Sequence, residues 1–366
     1  MICYVYSPSP LSLIGVVDKI SDQYFEDAYA DAGKFAFWCP IKYRSLLVED
    51  NVVWFGDTKA GILESVSLDK STNGHKRLKV TGHTAEIYLD RRTVYPTFIS
   101  SGYAGNVICD LVSDNLVQPD DQDRAIDTVS LVQPSENLGK SISYQQTGGN
   151  LLNEVSALCQ DNSLDFHLRF DPDTPRFVFE VFAVTDRSSS QQSVTPVKIS
   201  SSLDDILSSN YFSSVEVWKN CAYIAGEGEG SERKYVTLKT ISGVSSYQRR
   251  ELFVDARDIQ SEDGETIIPE ADYTNMLLQR GSEKLTKCNK VQEFQATIRN
   301  NPRSYVYGVD FFLGDTVTVI DEDLGVTVDA VVVKATASKT QGKEETEISF
   351  GYGIPTIYKR MRGVIV

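Results

Sequence analysis

General acid–base chemistry at neutral pH falls most readily to histidine, and this chain has three: His75, His83 and His167. His75 lies in a turn-forming run, His83 at the end of an alternating strand and His167 inside another. None belongs to an HExxH or comparable metal-binding spacing, so all three are expected to be structural or surface side chains. The run Gly226-Glu227-Gly228-Glu229-Gly230-Ser231 invites comparison with a phosphate cradle. It lacks the third glycine of GxGxxG and a following lysine, and its two carboxylates would repel the phosphate such a loop must hold. A flexible hairpin turn is expected instead, with Glu227 and Glu229 available for contact with a neighbouring subunit. Oxygen ligands also gather in Pro119-Asp120-Asp121-Gln122-Asp123-Arg124-Ala125-Ile126-Asp127. An EF-hand needs Gly at its sixth position and Glu at its twelfth; neither is present, and a solvated acidic loop is expected. Among 51 acidic residues no pair is singled out by its setting for glycoside cleavage. No catalytic residue, metal site or cofactor is expected.

The elements that carry these residues belong to a chain of 366 residues, long enough for two or three folding units. With 41% hydrophobic and 24% charged residues the composition is that of a globular protein. Met1 to Gly15 lacks a basic leader segment and is interrupted by Pro8 and Pro10, and no stretch is apolar for long enough to cross a bilayer. Neither a standard export signal nor a membrane span is expected. Six cysteines (Cys3, Cys39, Cys109, Cys159, Cys221, Cys288) fit neither a zinc spacing nor a disulfide framework and read as reduced, mostly buried thiols. A formal charge of −15 argues against general nucleic-acid binding, which needs Lys and Arg to displace counterions from phosphate.

Short strands fill the first part of the chain: Cys3 to Tyr6, Phe35 to Trp38, Asn51 to Phe55, Ala60 to Leu68 and Arg77 to His83. Alternation is clearest over Gly61 to Leu68 and Leu78 to Gly82, with Asn73-Gly74 suited to the turn between them. These read as a small β-barrel. Gly102 to Val117 and Asn150 to Gln160 then place apolar residues at helical spacing, and alternating segments follow at Leu164 to Phe170 and Arg176 to Val184. Gln191 to Ser202 is Ser-rich and reads as a linker. Strands resume at Tyr211 to Trp218, Asn220 to Gly226 and Arg233 to Thr240, and again at Asp315 to Asp321, Thr327 to Ala335 and Glu345 to Gly351. The intervening residues, with a helix from Glu270 to Cys288 carrying Met276, Leu277, Leu278, Gly281 and Leu285, read as an insertion into a second barrel. Gly56-Asp57 to Leu68 and Gly314-Asp315 to Ala335 share a crude grammar that hints at duplication.

Several segments resemble siphophage and prophage tail proteins of the baseplate-hub family, which includes the N-terminal hub region of tail-associated lysins. They are Gly61 to Val66 with Leu89-Asp90-Arg91-Arg92, Ala222 to Gly230, Arg249 to Asp258, and Phe312 to Val319, which together run from about residue 60 to 335. The fold implied is α+β, mainly β: two tube-like β-barrels with an accessory α/β region, phage baseplate-hub-like. The expected boundaries are a first barrel over 1–98, the accessory region over 99–200 plus 241–299, a second barrel over 201–240 plus 300–354, and a C-terminal tail over 355–366.

The resemblance further implies a structural, non-enzymatic homotrimer whose pseudo-hexameric ring extends the tail tube below the distal tail protein ring. Its other partners would be tape-measure or tail-tip proteins, with DNA passing without specific binding and without stable membrane association. The expected location is the virion tail tip, after synthesis in the bacterial cytoplasm. Many relatives continue into a peptidoglycan-cleaving or fibre region; here the expectation is either a shortened chain or a hub that leaves those tasks to other proteins. The alternatives are a tail-associated lysin or a host carbohydrate-binding adhesin. Arg91, Arg92, Arg249 and Arg250 could bridge subunits through bidentate ion pairs or pin loops within one subunit, and both readings stand at this point.

Overall fold

The computed structural model describes residues 2–56, 59–70, 76–203, 206–241, 243, 245–263, 266–298, 305–322, 325–340 and 342–351. The Asn73-Gly74 turn, His75, Asp57 and the tail at 355–366 lie outside the described residues. The chain forms two compact units: residues 1–25, 30–183 and 219–288 make the first, and 26–29, 184–218 and 289–366 the second.

The first unit opens with β1 (Cys3–Tyr6), β2 (Leu13–Val17), β3 (Ser21–Ala28), β4 (Lys34–Pro40), β5 (Val52–Trp54), β6 (Ala60–Lys70) and β7 (Lys76–Thr84). The division between units falls within β3. Strand order is β2-β1-β5-β6-β7-β4-β3. In β4 the period-two pattern buries Phe35, Phe37 and Cys39, and β7 answers with Leu78 and Val80, so that Phe37 lies opposite Val80. Val17 of β2 and Phe37 of β4 belong to one apolar cluster although their strands are far apart in the order, so the sheet wraps around its core. It does not close: among the described residues no ladder joins β2 to β3. The expected barrel is therefore an open, wrapped sheet, and β2 and β3 themselves had escaped the sequence reading.

Alternation in β6 also departs from expectation. Ala60 to Leu63 are all buried, a bulge shifts the register between Leu63 and Ser65, and Leu68 is 54% exposed. A bulge inserts one residue and turns every later side chain to the other face. The wrap depends on two glycines beneath the Phe35 ring. A Cβ on Gly82 would lie 2.0 Å from the Ile62 carbonyl oxygen and 2.6 Å from the ring, and one on Gly61 would lie 2.5 Å from the His83 oxygen.

After α1 (Ile87–Asp90) come β8 (Phe98–Tyr103), α2 (Ala104–Val112), β9 (Val129–Leu131), β10 (Ser141–Gln146), α3 (Leu151–Asn162), β11 (Leu164–Asp171) and β12 (Arg176–Ala183). Both expected helices form; α2 continues into a π-helical turn over Ser113–Val117. Asn150 caps α3 by accepting from the Asn153 N–H at 3.1 Å, and Ser163 ends it in the left-handed region at φ 55°. The expected β11–β12 hairpin pairs Leu164 with Ala183, and β9 adds in parallel.

The chain then enters the second unit with β13 (Asp186–Arg187), β14 (Lys198–Ser200) and β15 (Ile206–Ser214). It returns to the first with β16 (Cys221–Ala225), β17 (Tyr235–Lys239), β18 (Glu251–Asp255), β19 (Glu262–Asp263), β20 (Thr266–Ile267) and α4 (Glu270–Thr286). It finishes in the second with β21 (Val291–Ile298), β22 (Thr316–Asp321), β23 (Val326–Thr340) and β24 (Lys343–Gly351).

In the second unit β15-β21-β24-β23-β22 run antiparallel, and β13 and β14 pair in parallel with β22. This sheet too is open among the described residues, because no ladder joins β15 to β13 or β14. The Ser-rich stretch from Gln191 to Ser202, read as a linker, supplies β14, which pairs in parallel with β22. Its partner lies more than a hundred residues away, out of reach of local pattern. Likewise β16, read into the second barrel with β17, pairs with β17 on one side and β18 on the other, and β21, read into the accessory region, pairs with β15 and β24.

Replacing Gly82 by alanine should destabilise the first unit by about 2 kcal/mol or more, since backbone and a fully buried ring must both shift. Denaturant titration followed by tryptophan fluorescence measures it, and an unchanged midpoint would remove the glycines from the account of the wrap.

Candidate interaction site

All six residues expected at a subunit contact fall in the first unit. Arg91 and Arg92 follow α1. The Arg91 guanidinium pairs with Asp50 at 2.9 Å and lies 5.4 Å from the Tyr88 ring centroid. Arg92 donates from Nε to the Arg124 carbonyl at 2.9 Å, and its own carbonyl accepts from the Leu151 N–H at 2.9 Å where α3 begins. The Asn150 amide adds a bond to the Asp90 carbonyl at 2.8 Å. These contacts pin loops within the chain.

The expected hairpin around Gly226 to Gly230 forms, pairing β16 with β17 from Ala225 opposite Tyr235 to Cys221 opposite Lys239. Its base is tied rather than loose. The Glu227 carboxylate accepts from the Ser261 N–H at 3.0 Å, and its backbone N–H donates to the Tyr273 hydroxyl at 2.9 Å. Arg233 donates to the carbonyls of Gly226 at 2.8 Å and Ala225 at 2.7 Å and also pairs with Asp255. Hydrogen bonds from Arg257 and then Arg233 hold the Asp255 carboxyl down at about 2. Gly228 and Gly230 take φ of +96° and +55°, where a side chain is disfavoured. The tip Gly228-Glu229-Gly230 is exposed. Arg249 pairs with Glu251 and stacks 5.6 Å from the Tyr223 centroid, and the Arg250 backbone exchanges bonds with Asn220, N–H to Oδ1 and carbonyl to N–H, both at 2.9 Å.

His83 and His167 are not brought together. His83 pairs with Glu64 at 2.6 Å and His167 with Glu180 at 3.0 Å, on different sheets. In the acidic loop Asp121 caps a turn by accepting from the Asp123 N–H at 3.1 Å, while Arg124 turns away to donate to Thr93 and Asn115. Among the described residues no three His, Cys, Asp or Glu side chains converge as a metal site would require. Five cysteines are buried and none is bonded to another; burial pushes the Cys109 thiol up to about 12.

Two features escaped the sequence reading. Asp165 is buried, accepts from the Ala30 and Phe166 N–H groups at 2.9 and 2.8 Å, and is pushed up to about 8 chiefly by burial. The other is a polar centre where α4 meets β10 and α3: Arg280, Glu283, Glu154 and Tyr144 are all buried. Its signal was present as Arg280, Glu283, Lys284 and Lys287, a charged stripe at helical spacing beside the apolar one.

The sequence profile of the family described as Siphovirus ReqiPepy6 Gp37-like protein matches residues 2–352. The chain belongs to that family. Among solved structures, this Gp37-like chain is similar to the tail protein from Neisseria meningitidis MC58, with 14% identity, 96% of each chain covered and a TM-score of 0.54. Prophage tail protein gp18 from Listeria monocytogenes EGD-e is 12% identical over 99% of this chain and 98% of its own, with a TM-score of 0.54. The 43 kDa tail protein of prophage MuSo2 from Shewanella oneidensis is 12% identical over 96% and 97%, with a TM-score of 0.52. At such identities the likeness is one of fold. No curated protein matches by sequence. Among the described residues no helix is long and apolar enough to cross a membrane.

Arg233→Ala strips two carbonyls and Asp255 of a shared donor. The expected loss is on the order of 1–3 kcal/mol, with earlier cleavage of the 226–234 loop in limited proteolysis; digestion at the wild-type rate would show that the clamp is dispensable.

Proposed function

We propose that this chain is a structural, non-catalytic hub of a phage or prophage tail tip, assembling as a homotrimeric, pseudo-hexameric ring in which each copy supplies two tube-like modules. The observation that carries the reading is the end-to-end sharing of a prophage tail-protein fold by a member of a siphovirus family. Support comes from the sheet ends. β2, with Leu13 53%, Ile14 43% and Val16 38% exposed, ends the strand order of the first unit, and β15 ends that of the second. An apolar strand edge is a template for another chain, and in the ring a sister copy covers it and completes the wall of each open sheet.

The ring extends the tail tube below the distal tail protein ring and meets tape-measure or tail-tip proteins. A charge of −15 favours release of passing DNA over its retention. At the subunit contact, exposed Glu229 on its hairpin tip reaches the neighbour, while the segments around Arg91, Arg92, Arg249 and Arg250 hold the contact loops in shape. Glu227 tethers that tip to its own chain.

Electron microscopy of the purified full chain should show threefold rings with a central hole. Ile14→Lys with Val16→Lys should abolish the rings and leave the circular dichroism spectrum intact, because both positions face solvent in the single chain. Monomers at every concentration would overturn the ring. Clearing of cell-wall material in a zymogram would favour a lysin instead, and glycan-array binding an adhesin.

A further inference from the structure

The layer built from β16 to β20 and α4 has an apolar core of its own. Ala222, Ile224, Val254, Tyr273, Leu277 and Leu285 belong to a cluster drawn wholly from residues 222–285. Gly281 lets α4 lie close on β16, since a Cβ there would fall 2.7 Å from the Ile224 side chain. The hydrogen bonds and ion pairs tying this layer to α3 and β10 are of a different kind. Arg280 Nη2 donates to the Gln145 carbonyl at 3.0 Å, and Ser282 Oγ donates to Asp161 Oδ1 at 2.8 Å. Lys287 Nζ lies 3.6 Å from Glu154 Oε1. Within its own layer Arg280 grips Asp258 at 3.0 and 3.2 Å.

At the centre sits Glu283, 2% exposed, with Gln279 donating to it at 3.0 Å. The charged and titratable groups facing it are Glu154 of α3, Tyr144 of β10, and Arg280, Lys284 and Lys287 around α4. Tyr144 donates to Glu154 at 3.3 Å. Arg280 Nε and Gln145 Oε1 are buried with no hydrogen-bond partner. Desolvation offsets most of the Coulomb gain of such a centre, and unmade bonds weaken it further.

We propose that residues 219–288 form a hinged layer and that the polar centre is its proton-operated latch, closed while Glu283 carries a proton and loosened when Glu283 is ionised beside Glu154.

The direction follows from linkage. Burial first, then the charge of Glu154, raises the Glu283 carboxyl from its ordinary 4.5 to about 7, with Arg280 pulling the other way. A raised carboxyl holds its proton more tightly in the closed state, so the latch is fully closed at acid pH and is lost as pH rises through about 7.

Hydrogen exchange of the full chain, corrected for intrinsic rates, reads the latch directly. Between about pH 6 and about pH 8 the protection of α4 and β10 should fall about tenfold, while that of α2 stays level. Glu283→Gln should remove the step; should that variant fail to fold, Glu154→Gln should shrink the step and move it to lower pH, because only burial then raises Glu283. Equal wild-type protection at both pH values, a step that survives in Glu283→Gln, or an equal loss at α2 would overturn the proposal.

Discussion

A strand inside a sheet satisfies its peptide groups on both sides, whereas a strand that ends one leaves half of them to water. In β2 this falls on Leu13, Ile14 and Val16, which face out from a strand whose only ladder among the described residues is with β1. The rest of the first sheet makes the shortfall unavoidable. Phe35 presses its ring over Gly61 and Gly82, the sheet wraps until Val17 and Phe37 share one core, and the next strand in sequence, β3, is committed to the neighbourhood of β4. Among the described residues no strand of this sheet is left to pair with that edge. An open sheet with an apolar end is a poor endpoint for a lone molecule and a good start for an assembly.

The charges lead to the same place from the other side. Arg91, Arg92, Arg233 and Arg249 all find carboxylates, carbonyls or rings of their own chain. The exposed ion pairs of Arg91 and Arg249 contribute little to stability, and the bonds of all four act locally by setting the shape of loops. Specificity of association would then come from backbone edges and the apolar residues beside them, which a sequence read for chemical motifs passes over.

What was legible in the sequence was whatever local physics decides. The cap at Asn150 and the apolar spacing after it give α3, alternation gives β11 and β12, and Gly226 to Gly230 gives the hairpin of β16 and β17. Pairings between distant segments were not legible: β14 with β22, β16 with β18 and β21 with β24 join stretches separated by other elements. Phase was lost wherever a bulge intervened, as after Leu63. Among the candidate contact residues, sequence identified the arginine-rich loops but not their partners, because Asp50, Arg124 and Tyr223 are brought in by the fold. The buried state of Glu283 was hidden for the same reason: a carboxylate on a helix normally faces water, and only the approach of α3 and β10 makes this one an exception.

The first unit therefore has two boundaries governed by different forces. At β2 the open bonds are peptide groups, whose protonation never changes, and apolar side chains, whose burial depends little on pH. A contact made there persists across conditions. Where α4 meets α3 and β10 the buried carboxyls of Glu283 and Glu154 lie among the contacts, so under the proposed latch the strength of the junction is set by proton activity as well as by packing. The apolar core beneath α4, drawn wholly from its own layer, would let that junction open as proposed without unfolding the layer it releases.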